Sequence, residues 1–274
     1  MSTDPDATRR SDDHNARGIE LADRGWLEEA AKEFRRAIEL DPGSAHAREN
    51  LGAVLAEQRH YREALVELLA AVELDPETAS VHFSLATFLA DHGPDMAAEG
   101  YRAALALDPT FPDAQLNLGL TLADQQKPEE AIAALGAAVA QAPEDALPRH
   151  ELALLHMDED DHRAAIVQLK EVVRLEPERY EGHLDLGICY AEKGFLEEAE
   201  RCLGRARELA PDDAFVNYSL AALYARWSRP TEAWSPLRRA MEIAPAKVRR
   251  WVAGDRAFVA LRGLPELEAL LGQA

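Results

Sequence analysis

The chain has 274 residues, with 30 Lys+Arg against 50 Asp+Glu, a formal charge of −20 and an apolar share of 47%. That share belongs to a folded protein rather than to an acidic disordered chain. The charge repels phosphate backbones, so nucleic acid is not an expected partner. No apolar run reaches the roughly 18–20 residues of a membrane span. Two cysteines make no disulfide framework, and residues 1–14 are polar and charged, without a secretory pattern. A cytoplasmic protein without membrane insertion is expected.

In chain order, residues 1–10 carry no apolar periodicity and are expected to be disordered. From there on, prolines recur at 42, 76, 109, 143, 177, 211 and 245, spaced 34, 33, 34, 34, 34 and 34 residues apart. Counting back from each gives seven units: 11–44, 45–78, 79–111, 112–145, 146–179, 180–213 and 214–247. The third is one residue short, in the turn around Asp91–Asp95. Position 20 is alanine in every unit: Ala30, Ala64, Ala97, Ala131, Ala165, Ala199 and Ala233. Position 8 is Gly or Ala throughout, position 24 is bulky (Phe34, Leu68, Tyr101, Leu135, Leu169, Leu203, Leu237), and position 7 is leucine in six units.

Positions 4, 7, 8 and 11 fall on one helical stripe, and 20, 24 and 27 on another. Small residues at 8 and 20 let two antiparallel helices approach, and the bulky residue at 24 fills the space beside them. Proline at 32 lacks an N–H and pushes its predecessor out of the helical region, so each second helix stops there. One such pair cannot bury its own apolar faces; a stack can. Residues 248–274 read as a C-terminal cap, with Trp251 and Phe258 at positions 4 and 11 of an eighth first helix and Leu267, Leu270 and Leu271 in a closing helix.

This pattern resembles the tetratricopeptide repeat family over residues 11–247. The resemblance implies an all-α, right-handed superhelical solenoid of seven helix-turn-helix repeats with a C-terminal capping helix. Position 4 departs from the family's favoured tryptophan, carrying His14, Arg48, His82, Gln115, Arg149, His183 and Asn217. In this family the first helices line a concave groove, with ligand contacts from positions 2, 5, 9, 12 and 13. Helical geometry sets those positions roughly opposite the packing stripe.

The groove floor is then expected to hold Phe83, Leu116, His150, Leu184 and Tyr218 at position 5, and Leu120, Leu154 and Ile188 at position 9. A rim of Asp91, Asp124, Asp158 and Glu192 follows at position 13. The alternative place for the leucines and isoleucine is the seam between repeats. An apolar floor beside carboxylates suits a protein or peptide partner, basic with apolar anchors. Positions 2, 5, 6 and 9 of the first three repeats hold no Lys or Arg, which argues against an anionic chaperone tail as ligand.

There is no glycine-rich phosphate loop, no Cys-x-x-Cys and no His-Glu-x-x-His, so no catalysis, metal or cofactor is expected. The cluster from His156 to His162 spans a helix-turn-helix junction, where acids favour turns and helix starts. Charge is uneven: residues 1–213 hold 21 Lys+Arg and 45 Asp+Glu, residues 214–274 hold 9 and 5. The expected function is a non-enzymatic interaction scaffold or adaptor. The alternatives are a structural protein that self-associates through its basic C-terminal end, and an accessory or recruitment subunit of a larger enzyme or secretion complex.

Overall fold

The computed structural model describes residues 5–111 and 113–272, and among these it contains only helices and turns. The chain forms two compact units, one ending at Gln141 and the other beginning at Ala142. The first holds α1 (Pro5–Asp23), α2 (Leu27–Leu40), α3 (Ala45–Glu57), α4 (Tyr61–Leu74), α5 (Ala79–His92), α6 (Pro94–Leu107), α7 (Ala114–Asp124) and α8 (Pro128–Gln141). The second holds α9 (Ala146–Asp158), α10 (His162–Leu175), α11 (Tyr180–Glu192), α12 (Leu196–Leu209), α13 (Ala214–Arg226), α14 (Pro230–Ile243), α15 (Pro245–Gly254), a 3₁₀ segment (Arg256–Leu261) and α16 (Pro265–Gly272). Consecutive helices pack as pairs, α1 with α2 through α13 with α14. They are the helix-pair repeats of an α-solenoid.

Each pair is closed by the residues that recur. All seven position-20 alanines have no exposed surface, and the position-24 side chains are exposed by 2% or less. The glycines at position 8 are there because nothing larger fits. A Cβ on Gly52, Gly119 or Gly187 would lie 2.6–2.7 Å from Cγ of Leu68, Leu135 or Leu203. In the third pair position 8 is Ala86 and the small residue has crossed over: a Cβ on Gly100 of α6 would lie 2.8 Å from that of Ala86.

The turn inside each pair is a Schellman ending. Position 15 lies in the left-handed region at Gly25, Arg59, Gln126, Asp160, Gly194 and Ser228, with φ between 58° and 80°. The next N–H reaches back to the carbonyl of position 11, as in His60→Leu55 (2.8 Å) and Phe195→Tyr190 (2.9 Å). The third pair lacks one residue here, and Gly93 is extended instead, at φ −165°. Four of these six left-handed residues are not glycine.

Position 4 has a structural task in place of tryptophan. The side chains of Arg48, His82, Arg149, His183 and Asn217 donate to the carbonyl of the proline six residues earlier, at 2.8–3.4 Å. The donors tie the start of a first helix to the proline carbonyl just beyond the preceding second helix. His14, which has no such proline before it, bonds Glu33 at 2.6 Å instead.

Two expectations change at the ends. Residues 5–10 are not disordered: they are the first turns of α1, held by Ser11, whose hydroxyl is buried and donates to the Ala37 carbonyl (3.0 Å). Residues 1–4 lie outside the described residues. In the cap, the helix expected to carry both Trp251 and Phe258 breaks at Asp255, whose Oδ1 accepts from the Ala257 N–H (2.8 Å) and starts the 3₁₀ segment. Phe258, Val248 and Leu267 are nonetheless buried against Tyr218, Leu237 and Met241. The side chains of Leu270 and Leu271 lie outside the described ones.

Candidate functional site

Position 5 of the first helices does not line a free floor. In the second unit His150, Leu184 and Tyr218 are 6%, 7% and 8% exposed, and in the first unit Leu116 is 8% exposed. His150 and Leu184 sit between neighbouring first helices, and Tyr218 sits against the cap. Leu184 packs among Leu203, Val216 and Leu220. Phe83 is half-buried, with its ring 5.0 Å from that of Phe111 and 5.6 Å from that of Tyr101. The seam wins because parallel first helices stacked on short turns approach closely on this side.

Where position 5 is polar, it pairs with the next first helix. Asn50 donates to Asn15 (3.0 Å), and Ser84 and Ser80 donate to the two carboxylate oxygens of Glu49 (2.7 and 3.0 Å). His150 Nε2 bonds Asp185 Oδ2 at 2.8 Å. Tyr218 donates to Asp255 (2.8 Å), and burial, with that carboxylate bond, pushes its phenol well above the ordinary range. Asp185 and Asp255 were not legible as partners from composition. Their signal is the spacing of 35 and 37 residues from His150 and Tyr218, one repeat plus one residue and one repeat plus three.

Position 9 remains open. Leu120 in the first unit and Leu154 and Ile188 in the second are half-buried. Of the rim, Asp91, Asp124 and Asp158 are exposed and their side chains make no ion pair among the described residues. Glu192 differs: Arg226, one repeat later, donates to it at 2.7 Å and to the Ala191 carbonyl at 3.1 Å. That bond holds the Arg226 guanidinium above its usual pKa.

Position 9 deepens into a pocket of about 130 Å³ in the second unit. Ile188, Ala222 and Phe215 give it apolar walls, and Tyr218, Glu192, Arg226 and Asp255 its polar edge. Two carboxylates against one guanidinium leave a net negative edge. Among the described residues no three His, Cys, Asp or Glu side chains are placed to hold a metal ion, and no helix is long and apolar enough to cross a membrane. In the His156–His162 segment, Asp161 instead caps α10 by accepting from the Ala164 N–H (3.1 Å). The Cys189 thiol is buried and pushed up to about 12, chiefly by desolvation.

Stacked helix pairs of this kind define a repeat scaffold for protein–protein interaction. Models of the tetratricopeptide repeat match residues 87–146 and 156–223, and a further TPR repeat model matches residues 18–59, together more than half of the chain. The chain belongs to the tetratricopeptide repeat family.

Among solved structures, the C-terminal part of a TPR repeat-containing protein from Cytophaga hutchinsonii is similar at 16% identity and a TM-score of 0.72, covering 85% of this chain and 97% of that one. YrrB, described as a TPR protein with an unusual peptide-binding site, is 23% identical with a TM-score of 0.59, over 65% and 92% of the two chains. Pseudomonas aeruginosa pilF is 22% identical with a TM-score of 0.61, over 77% and 97%. These likenesses show the fold. A curated relative, the protein O-mannosyl-transferase Tmtc3 of Drosophila melanogaster, is 26% identical over 135 residues, 48% of this chain. The matched segment spans 14% of that relative's length. Repeats of this family are typically non-catalytic interaction scaffolds.

Proposed function

We propose that the chain is a non-enzymatic adaptor that captures a peptide or helix along position 9 of its first helices. The observation that carries this is the pocket between α11 and α13. Its volume, roughly that of four waters in the liquid, suits one aliphatic side chain. Its net negative edge, together with the uncommitted Asp158, favours a Lys or Arg next to that anchor, through an attraction that salt weakens. The buried position-5 side chains Leu116, His150 and Leu184 hold the scaffold in shape, while Tyr218 also borders the pocket.

An immobilised peptide array tests this, with single Leu, Ile or Met anchors flanked by Lys/Arg, by Gln or by Asp/Glu. The basic-flanked set should be retained, and Ala222→Leu, which fills the pocket while keeping the helix, should remove most of the retention. Equal retention of acidic-flanked peptides, or no effect of Ala222→Leu, would overturn the reading. The likeness to a segment of Tmtc3 supports a second reading, in which the repeats recruit partners to an attached or associated enzyme.

A further inference from the structure

The second unit carries a cavity of about 550 Å³ between α12 and α14, on the second helices and so away from the open line of position 9. Arg207 of α12 and Arg238 and Arg239 of α14 line it, with Trp234 at its wall. Arg239 is committed, bonded to Asp212 and to Glu242. Arg207 and Arg238 are exposed and make no ion pair or hydrogen bond among the described residues. Two uncommitted guanidiniums thus face one cavity, in a chain where carboxylates outnumber cations. Trp234 and Arg238 also border a neighbouring cavity, between α14 and α16.

The floor adds a second observation. Asn217 has no exposed surface, and its Nδ2 donates to both the Pro211 carbonyl (2.9 Å) and the Asp213 carbonyl (2.8 Å). Those two acceptors fix the orientation of the amide. Its Oδ1 is then a buried acceptor without a donor, a group that costs free energy until one is supplied. The cavity therefore offers cationic donors at its mouth and an unmet acceptor beneath it. A peptide bearing Asp or Glu complements those donors, its carboxylates meeting the guanidiniums in a fork.

The geometry points to a second binding site, for an acidic peptide segment, on the face formed by α12 and α14. A separate partner is favoured over another copy of this chain. The net charge of −20 opposes the approach of two whole chains, whereas a narrow segment brings only its own carboxylates. The site is independent of the groove, so the chain would bridge a basic ligand on one face and an acidic one on the other.

The test uses the full chain and a fluorescein-labelled peptide of glutamates spaced by glycine, with glutamine and lysine versions beside it, read by fluorescence anisotropy. The glutamate peptide should bind and the others should not. The double variant Arg207→Gln/Arg238→Gln should weaken it about tenfold or more, as expected for loss of charge-assisted contacts. Arg201→Gln, an exposed α12 arginine that does not line the cavity, should leave binding unchanged, as should the groove variant Ala222→Leu. Both cavity arginines are exposed, so helicity should survive their loss. The proposal is overturned if the double variant binds equally well, or if inorganic phosphate displaces the peptide at matched concentration. It is also overturned if no peptide binds while light scattering shows self-association that depends on Arg207 and Arg238.

Discussion

Arg59, Gln126 and Ser228 occupy the left-handed region at φ 63°, 59° and 58°. That conformation costs an L-residue about 1–2 kcal/mol, because Cβ crowds the following carbonyl oxygen. Replacing each by glycine removes this term but adds about 0.4–1 kcal/mol of chain entropy to the unfolded state. The net expectation is a gain of about 0.5–1 kcal/mol per site. Asp160, at φ 58°, should gain least, since Asp tolerates this region through local hydrogen bonds.

The reverse change provides the control. Gly25→Ala and Gly194→Ala, at φ 78° and 80° with nothing within 4 Å of the new Cβ, should each lose about 1 kcal/mol or more from the backbone alone. Gly93→Ala, extended and with its nearest neighbour 3.5 Å away, should be neutral or slightly stabilising. Urea and thermal unfolding followed by helical circular dichroism would measure all seven variants. Arrays of repeats can unfold in parts, so the comparison is of transition midpoints under one protocol. The reasoning fails if Arg59→Gly and Ser228→Gly destabilise, or if Gly93→Ala costs as much as Gly194→Ala.

Gly187→Ala should destabilise by about 1–3 kcal/mol through overpacking against Leu203, measurable in the same unfolding assay. Asp185→Ala leaves His150 buried without its partner and should cost about 1–3 kcal/mol; no change would mean the pair contributes nothing to the seam. The phenol of Tyr224 is pushed up to about 12, first by burial and then by its bond to Glu200. Its folded pKa thus lies above its unfolded one, so its contribution to stability is complete below about pH 10. That contribution is lost as pH rises through 12, and an ultraviolet phenolate titration of Tyr224→Phe against the parent chain would show it. Cys189 should resist a thiol reagent at pH 8 in the folded chain and react on unfolding.

Much of the fold was legible because the packing demands repeat. Alanine at position 20 and Gly or Ala at position 8 report a close helix approach wherever they fall, so seven copies reinforce one reading. The candidate site was less legible. Helical phase places position 5 opposite the intra-pair stripe, but it says nothing about what stacks beside the pair, which buries Leu184 against Val216 and Leu220 and Tyr218 against the cap. Position 9, one turn further along the same helices, escapes that cover, and Ile188 and Ala222 border the pocket. The cap misled for a local reason: Asp255 interrupts a helix that the apolar spacing of Trp251 and Phe258 would have continued. Residues 5–10 show no apolar signal because one buried hydroxyl, that of Ser11, anchors an otherwise polar segment.

The polar rungs at position 5 bear on the order of the repeats. Pairs built on one template of alanine, glycine and leucine could in principle stack in the wrong sequence, or exchange between chains. Glu49 meets its two donors on α5 and His150 meets its acceptor on α11. A repeat moved elsewhere in the array would bury one of these groups opposite a leucine. The joints are therefore individually keyed. A shuffled gene encoding the same repeats in a different order should yield a chain with the same helical content in each pair and a markedly weaker stack.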